Sequence, residues 1–253
     1  MSTHHSIVVA RSATPLPLLP EVRSAFGTSC FNLVRHEDGW QMAEISVRAH
    51  QWATVGAGPG PIAAATGAPV LAAWISDVGC AQMAADVPGG PSWTAHLLGG
   101  DWESCGFDHE ILNTLRAPGP EQPPADHARL AADLAAWSAA AGRTTTAERI
   151  EALLRDRSGL LEDRYRAMVG ELGLGAGVAF ERRLDWADDR IHTAWQDALY
   201  ASYDIPTPWN GRTKAPPRST ALVAFAELYD AAEFNPDITE ADLVAQAEHA
   251  LAL

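Results

Sequence analysis

Three acidic and imidazole side chains fall at helical spacing in the second half of the chain. Asp185, Asp189 and His192 stand at positions i, i+4 and i+7, so they would share one face of a continuous helix. Carboxylates and an imidazole that converge in this way could bind a divalent cation or act as an acid and a base. Three ligands from one helix do not complete a metal site, and the arginines around them equally suit a solvated charged face.

A second group of polar and aromatic residues occupies the loop-like stretch 99–110. Cys105 and His109 could form a nucleophile and its base, but no activating signature surrounds the cysteine. Recognition residues tend to lie on loops, and acidic and aromatic side chains there are typical of a binding surface. We therefore predict that this stretch binds a partner through Asp101, Trp102, Glu103, Asp108 and His109.

Tryptophan is abundant, with nine residues in a chain of 253. Most of these side chains are expected in the core, because the indole ring buries a large apolar area. Trp186 and Trp209 stand in polar or loop contexts, and exposed tryptophan is enriched in the hot spots of protein interfaces. We add both to the predicted binding surface; the alternative for each is packing against a neighbouring loop.

The charge balance restricts the partners. The formal net charge is -14 and the pI is about 4.9, which argues against direct binding of DNA or RNA, since phosphate binding needs basic patches. The same charge would steer a basic protein partner toward the chain. Three widely spaced cysteines do not form a disulfide framework, and no signal peptide or membrane span is predicted, so a cytoplasmic location is expected.

The familiar catalytic and nucleotide-binding patterns are absent from the sequence. It contains no HExxH, GxSxG, Walker, zinc-finger, kinase or deaminase signature. Gly56–Gly60 is rich in glycine but lacks the spacing of a phosphate loop, and a turn before a short helix at 61–66 is the better interpretation. The sequence therefore identifies neither a reaction nor a cofactor.

The stretch 69–98 predicts the middle of a sheet. Val70–Ile75 and Ser92–Leu97 have the character of strands, and the turn at Val87–Pro91 would pair them in an antiparallel sense. Cys80–Asp86 suits either a third strand or a helix. Earlier in the chain, a strand is predicted at 6–11, a helical turn at 21–26 and a hairpin that joins strands 28–36 and 40–47 through Asp-Gly.

From residue 126 onward the pattern is helical. Asp126 and Ser219 are predicted N-caps, and capping boxes are predicted at Thr145–Glu148 and Thr239–Asp242. Apolar residues recur at helical spacing between these caps. The predicted helices cover residues 127–141, 145–154, 158–172, 179–203, 220–234 and 239–251.

These elements predict an α+β fold, with an N-terminal antiparallel or mixed β-sheet carrying short helices and then a mostly α-helical C-terminal half. A sheet domain is placed at 1–116, a Pro-rich linker at 117–126 and a helical domain at 127–253. Whether the two halves fold as one domain or two stays open.

The main functional hypothesis is a non-catalytic, cytoplasmic protein-interaction protein. An immunity or antitoxin-like protein, an adaptor or an accessory subunit would bind its partner through the acidic and aromatic loops. The alternatives are an enzyme whose site is built on Asp185, Asp189 and His192, and a small-ligand binder with a pocket between sheet and helices. Fold class does not decide among the three.

Overall fold

A seven-stranded antiparallel sheet organises the molecule, and this confirms the predicted α+β class. The computed structural model describes residues 4–46, 58–76, 80–98, 126–156, 160–183, 185–203, 216 and 219–252. The strands are β1 (His4–Arg11), β2 (Ser29–Arg35), β3 (Trp40–Ser46), β4 (Val70–Ser76), β5 (Cys80–Asp86), β6 (Ser92–Leu98) and β7 (Val178–Ala179). Their order across the sheet is β6-β5-β4-β1-β3-β2-β7.

In the described part of the chain, two short helices lie among the first four strands, and six longer helices follow β6, with β7 between the third and the fourth of them. The short ones are α1 (Pro20–Phe26) and α2 (Gly60–Thr66). The longer ones are α3 (His127–Ala140), α4 (Ala147–Arg155), α5 (Leu161–Glu171), α6 (Asp189–Tyr203), α7 (Thr220–Ala232) and α8 (Glu240–Leu251).

The first strand lies in the middle of the sheet. β1 pairs with both β3 and β4, with Val8 opposite Ala43 on one side and Ala72 on the other. The predicted hairpin of β2 and β3 is confirmed, and Cys80–Asp86 is a strand rather than a helix. The prediction that the stretch 69–98 forms the middle of the sheet is wrong for β5 and β6, because they lie toward one edge.

Both faces of the sheet are buried, which explains why Ile7–Ala10 in β1 and Val70–Ile75 in β4 are continuous apolar runs. On the first face, residues such as Val8 and Trp74 pack with α1, α2 and Phe234. On the second face, residues such as Ile7 and Leu71 pack with α3, α4 and α5. The predicted inward positions of α3 and α5 are all buried there: Leu130, Leu134, Trp137, Leu161, Tyr165 and Met168.

The last three helices form a cluster of their own. Helices α6, α7 and α8 bury Ile191, Phe225 and Leu243 against one another. Ser219 caps α7 by accepting a hydrogen bond from the backbone N–H of Leu222, and Thr239 and Asp242 form the predicted capping box of α8. No helix among the described residues has both the length and the apolar composition needed to cross a bilayer.

The predicted helix over 179–203 is wrong in its first ten residues. The chain pairs as β7 with Val34 and Arg35 of β2, and the backbone N–H of Phe180 donates to the carbonyl oxygen of Leu33. The helix begins only at Asp189. The backbone of this stretch is hydrogen-bonded to a strand that is far away in the sequence. The spacing of apolar residues within the stretch carries no information about such pairing.

The remaining helix boundaries differ from prediction by a few residues. The N-cap of α4 is Thr146, which accepts from the backbone N–H of Arg149, rather than Thr145. Helix α5 begins at Leu161 instead of Ser158. The division into a sheet domain and a helical domain stays a prediction; in the described residues, α3–α5 share their hydrophobic core with the sheet.

A tyrosine hydroxyl is buried without a hydrogen bond in the second-face core, and its removal should stabilise the fold. Tyr165 has no exposed surface, its hydroxyl oxygen has no partner, and burial raises the pKa of the phenol. Tyr165→Phe is expected to raise the free energy of unfolding by about 1 kcal/mol in a urea titration, because an unsatisfied buried hydroxyl is removed. Ser138→Ala is the opposite control, since it deletes a buried hydrogen bond to the carbonyl oxygen of Leu172. A loss of stability in both variants would contradict this account.

Candidate functional site

One end of the sheet gathers polar and aromatic side chains from three strands and a helix. β1 and β2 begin at this end, and β3 and β4 end there. We call it the upper end and the opposite one the lower end. The group at the upper end consists of His5, Phe31, Asn32, Glu44, Glu162, Asp163 and Arg166.

A bulge in β2 determines the position of Phe31. Cys30 lies opposite Ile45 and Asn32 lies opposite Glu44, so Phe31 is an extra residue with no partner in β3. Bulges re-aim side chains, and they are frequent beside functional sites. Phe31 remains 41% exposed, whereas Cys30 and Leu33 of the same strand are buried.

A buried carboxylate anchors helix α5 to the sheet. Glu44 is 1% exposed, and the guanidinium of Arg166 donates to both of its carboxylate oxygens at 2.8 Å. The side-chain amide of Asn32 donates to the same carboxylate at 3.2 Å. The hydrogen bonds to Glu44 raise the pKa of Arg166 further above its usual value. Both oxygens of Glu44 are therefore engaged by Arg166, and this contact links strand β3 to helix α5.

Two further carboxylates make this end of the sheet acidic. Arg166 Nη1 lies 3.0 Å from Asp163 Oδ1 and 3.7 Å from Glu162 Oε1, so three carboxylates share one guanidinium. The group is net negative as a result. Asp163 is exposed, so part of this charge is available to a partner in solution.

A histidine joins the acidic group to the exposed ring. His5 is 2% exposed, its Nε2 lies 3.4 Å from Glu162 Oε2, and its ring meets the ring of Phe31 edge-on at 5.5 Å. Edge-on aromatic pairs are favourable beyond the area that they bury. His5 therefore packs against the ring of Phe31, which stays partly exposed.

Most residues predicted to bind a partner lie outside the described residues. These are Asp101, Trp102, Glu103, Asp108, His109 and Trp209. Their role stays a prediction from sequence.

Trp186 is the exception, and its predicted exposure needs correction. It is 5% exposed and packs in the cluster of α6, α7 and α8, while the guanidinium of Arg183 lies 4.8 Å above its ring. The ring is part of the hydrophobic core of these three helices, so it is not exposed for binding a partner. The polar residues next to Trp186 in the sequence predicted a surface position. The residue lies just before α6, and its side chain is buried against the helices.

The three residues predicted to hold a metal do not share a helix face. Asp185 precedes α6, which begins at Asp189, and His192 Nε2 lies 2.8 Å from the backbone carbonyl oxygen of Trp186. Within the described residues, which include all three, no group of three or more His, Cys, Asp or Glu side chains is arranged to hold a metal ion. The nearby Asp188 is paired with Arg190, which lowers its pKa to about 2.

Sequence reasoning did not single out the residues of the upper end. Glu44 did break the alternation of an otherwise apolar strand, and a bulge was one interpretation of that break. The bulge is real, but it lies in the partner strand. The partner of Glu44 is 122 residues away in the chain, and no local pattern could have identified it.

Comparisons with known proteins do not identify the chain. No protein-family model, no curated protein and no solved structure matches it.

Proposed function

We propose that this protein is a non-catalytic interaction protein that binds a basic protein partner through the upper end of its sheet. An immunity or antitoxin-like protein, an adaptor or an accessory subunit would act in this way. The observation that carries the proposal is Phe31, an aromatic ring 41% exposed beside a net negative group of side chains. Interface hot spots are typically such aromatic anchors inside a polar rim.

Charge complementarity supports a basic partner. The chain has a formal net charge of -14, and at the upper end Glu162 and Asp163 share Arg166 with the fully engaged Glu44. Such a surface would attract cationic side chains and increase the association rate at low ionic strength. Leu160, which is 50% exposed and directly precedes α5, adds apolar area beside these carboxylates.

The direction of strand β6 is compatible with the binding residues that the sequence predicts at 101–109. β6 ends at the upper end with Leu98, and the predicted binding residues at 101–109 follow it directly in sequence. The enzyme alternative has less support, because Asp185, Asp189 and His192 do not share one helix face.

Replacing Phe31 by alanine should weaken the complex without unfolding the chain. The partner is first isolated with the tagged protein from its own cells, and the complex is then reconstituted from two purified components. In isothermal titration calorimetry, Phe31→Ala is expected to raise the Kd about 30-fold, which corresponds to the loss of a hot-spot residue of about 2 kcal/mol. Circular dichroism should show an unchanged fold, because Phe31 is an extra residue in the bulge.

Val178→Ala provides the matched control. Val178 is another large apolar residue on a strand, 76% exposed, but it lies on β7 at the edge of the sheet. Its replacement should leave the Kd unchanged. Equal affinities of the Phe31→Ala and Val178→Ala variants would refute the proposed surface, as would failure of every co-purified protein to bind when purified.

A further inference from the structure

A row of polar side chains crosses the first face of the sheet. Ser6 lies opposite Trp74, and Gln82 lies opposite Trp74 on one side and His96 on the other. Side chains of directly opposed residues project from the same face, so β1, β4, β5 and β6 each contribute one member. We call these four residues the polar row. All four are buried; Ser6 and Trp74 have no exposed surface, and Gln82 is 4% exposed.

Three members of the polar row have hydrogen-bonding atoms without a partner in the described part of the chain. These atoms are the hydroxyl oxygen of Ser6, Nε1 of Trp74, and both the oxygen and the nitrogen of the Gln82 amide. Native interiors leave few buried polar atoms unpaired, because each one costs free energy. Such a concentration in three neighbouring residues is expected where a bound molecule supplies the missing partners.

The second face of the same strands is apolar where the first face carries the polar row. Next to Gln82, Ala81 and Met83 of β5 pack in the second-face core, as does Leu97 beside His96. The fold alone would be served equally well by apolar residues on the first face. Departures from apolar patterning without a structural benefit are typical of functional sites.

The indole of Trp74 is held in place by the apolar cover of the first face. The ring of Phe26 in α1 lies 4.9 Å from the indole and is tilted by 33°. Ile62 and Ala63 of α2 pack in the same core, together with Ala84 of β5. The ring is therefore packed while its N–H group is unpaired, and a donor that is already oriented loses little entropy when a ligand binds.

The unpaired atoms determine which molecule would fit. The Trp74 indole is a donor only, the Gln82 amide is both donor and acceptor, and the Ser6 hydroxyl can be either. The polar row contains no Asp, Glu, Lys or Arg, and an ionised ligand in a buried site needs an opposite charge, so a neutral ligand is favoured. A cyclic imide has one N–H between two carbonyl groups. Its N–H and one carbonyl can pair with Gln82, and its other carbonyl can accept from Trp74, because neighbouring strands are only about 5 Å apart.

We propose that the polar row binds a small, neutral, planar molecule with a cyclic imide group, and that Gln82 and Trp74 are its hydrogen-bonding partners. The polar row lies on the opposite face of the sheet from Glu44, since Ile7, the residue opposite Glu44, belongs to the second-face core. The proposal therefore does not depend on the proposed protein-binding function.

Uracil is the probe for the test, and N,N′-dimethyluracil is the comparison molecule, because methyl groups replace both N–H donors of its ring. Binding of each to the full chain is measured by isothermal titration calorimetry. Uracil is expected to bind at least tenfold more tightly, because the dimethylated ring would leave the Gln82 oxygen without a donor. Uracil should also shift the Nε1–H signal of Trp74 in a proton–nitrogen NMR correlation spectrum, and Trp74→Phe, which lacks this signal, assigns it.

Gln82→Leu tests the amide, because leucine has a similar volume and no hydrogen-bonding group. It should raise the Kd for uracil at least tenfold. It should also raise the urea midpoint of the chain without ligand, since it removes buried polar atoms that have no partner. A lower midpoint would assign the amide to the fold and overturn the proposal. If Gln82→Leu does not fold, the shift of the Trp74 signal in the unaltered chain still decides the question.

Met83→Leu is the matched control, because Met83 is the next residue on β5, is buried on the second face, and is replaced at nearly constant volume. Its Kd for uracil should equal that of the unaltered chain. The proposal is overturned if uracil does not bind at millimolar concentration, which is the result expected if water alone completes the hydrogen bonds of the polar row. It is also overturned if the Trp74 signal does not move, or if Gln82→Leu and Met83→Leu bind uracil equally. Equal binding of uracil and N,N′-dimethyluracil would overturn the assignment to an imide.

Discussion

Gly177→Ala is expected to lower the free energy of unfolding by about 3 kcal/mol, as overpacking against fixed backbone does. A Cβ at this position would lie within 3.0 Å of Val34 Cγ1, the carbonyl oxygen of Arg35 and Cε1 of His36. The side chain of Val34 could rotate, but the Arg35 oxygen is fixed in the sheet. The chain would have to move away from β2, so the pairing of β7 should be lost as well.

Gly175→Ala separates this steric effect from the general effect of replacing a loop glycine. A Cβ at Gly175 would meet nothing within 4 Å, and the carbonyl oxygen that contacts His36 Nδ1 at 2.8 Å is retained. Its stability in urea should stay within about 0.5 kcal/mol of the unaltered chain, as for most surface substitutions. Equal destabilisation by the two alanines would show that β7 does not pack on β2 as described.

Removing the guanidinium of Arg182 should also cost about 3 kcal/mol, because it would break the ion pair of a buried carboxylate. Arg182 donates from Nε and Nη2 to Glu233 Oε2, and from Nη1 to the backbone carbonyl oxygen of Phe31. Glu233 is 4% exposed. Arg182→Met keeps most of the aliphatic volume, so the loss in a urea titration would report on the charge.

A variant with both Arg182 and Glu233 replaced tests whether the broken ion pair causes the loss of stability. If the loss of the ion pair dominates, Arg182→Met with Glu233→Gln should be more stable than Arg182→Met alone, because the buried carboxylate is then replaced by a neutral amide. Arg190→Met removes an exposed arginine paired with Asp188 and Glu248, and it should leave the unfolding midpoint nearly unchanged. If Arg182→Met lowers the free energy of unfolding no more than Arg190→Met does, the Arg182–Glu233 pair does not stabilise the fold as described.

Local signals predicted most of the fold. The hairpin at Asp38–Gly39, the turn at 87–91 and the caps at Asp126, Ser219 and Thr239 all depend on residues within four positions of each other. Caps and turns of this kind can be recognised from a few consecutive residues. They were sufficient for β1 to β4 and β6, for most helices and for the α+β class.

Features that depend on distant partners could not be predicted. Strand β7 exists only because Leu33 and Val34 offer it an unpaired edge. The exposure of Phe31 follows from a bulge that neither strand reveals alone. The contact of Glu44 with Arg166 joins a strand to a helix from the other half of the chain. The candidate surface at the upper end depends on such long-range contacts, which explains why the sequence pointed to other residues.

The central position of β1 has a consequence for the order in which the sheet can assemble during synthesis. Residues 4–11 leave the ribosome before the strands that they pair with, and one of their two neighbours, β4, follows some 60 residues later. Until β4 is made, β1 can pair only with the β2–β3 hairpin, and its Ile7, Val8 and Val9 present an open apolar edge. We therefore expect the nascent chain to depend on chaperone protection until about residue 76 has emerged, and to be most prone to aggregation in that interval.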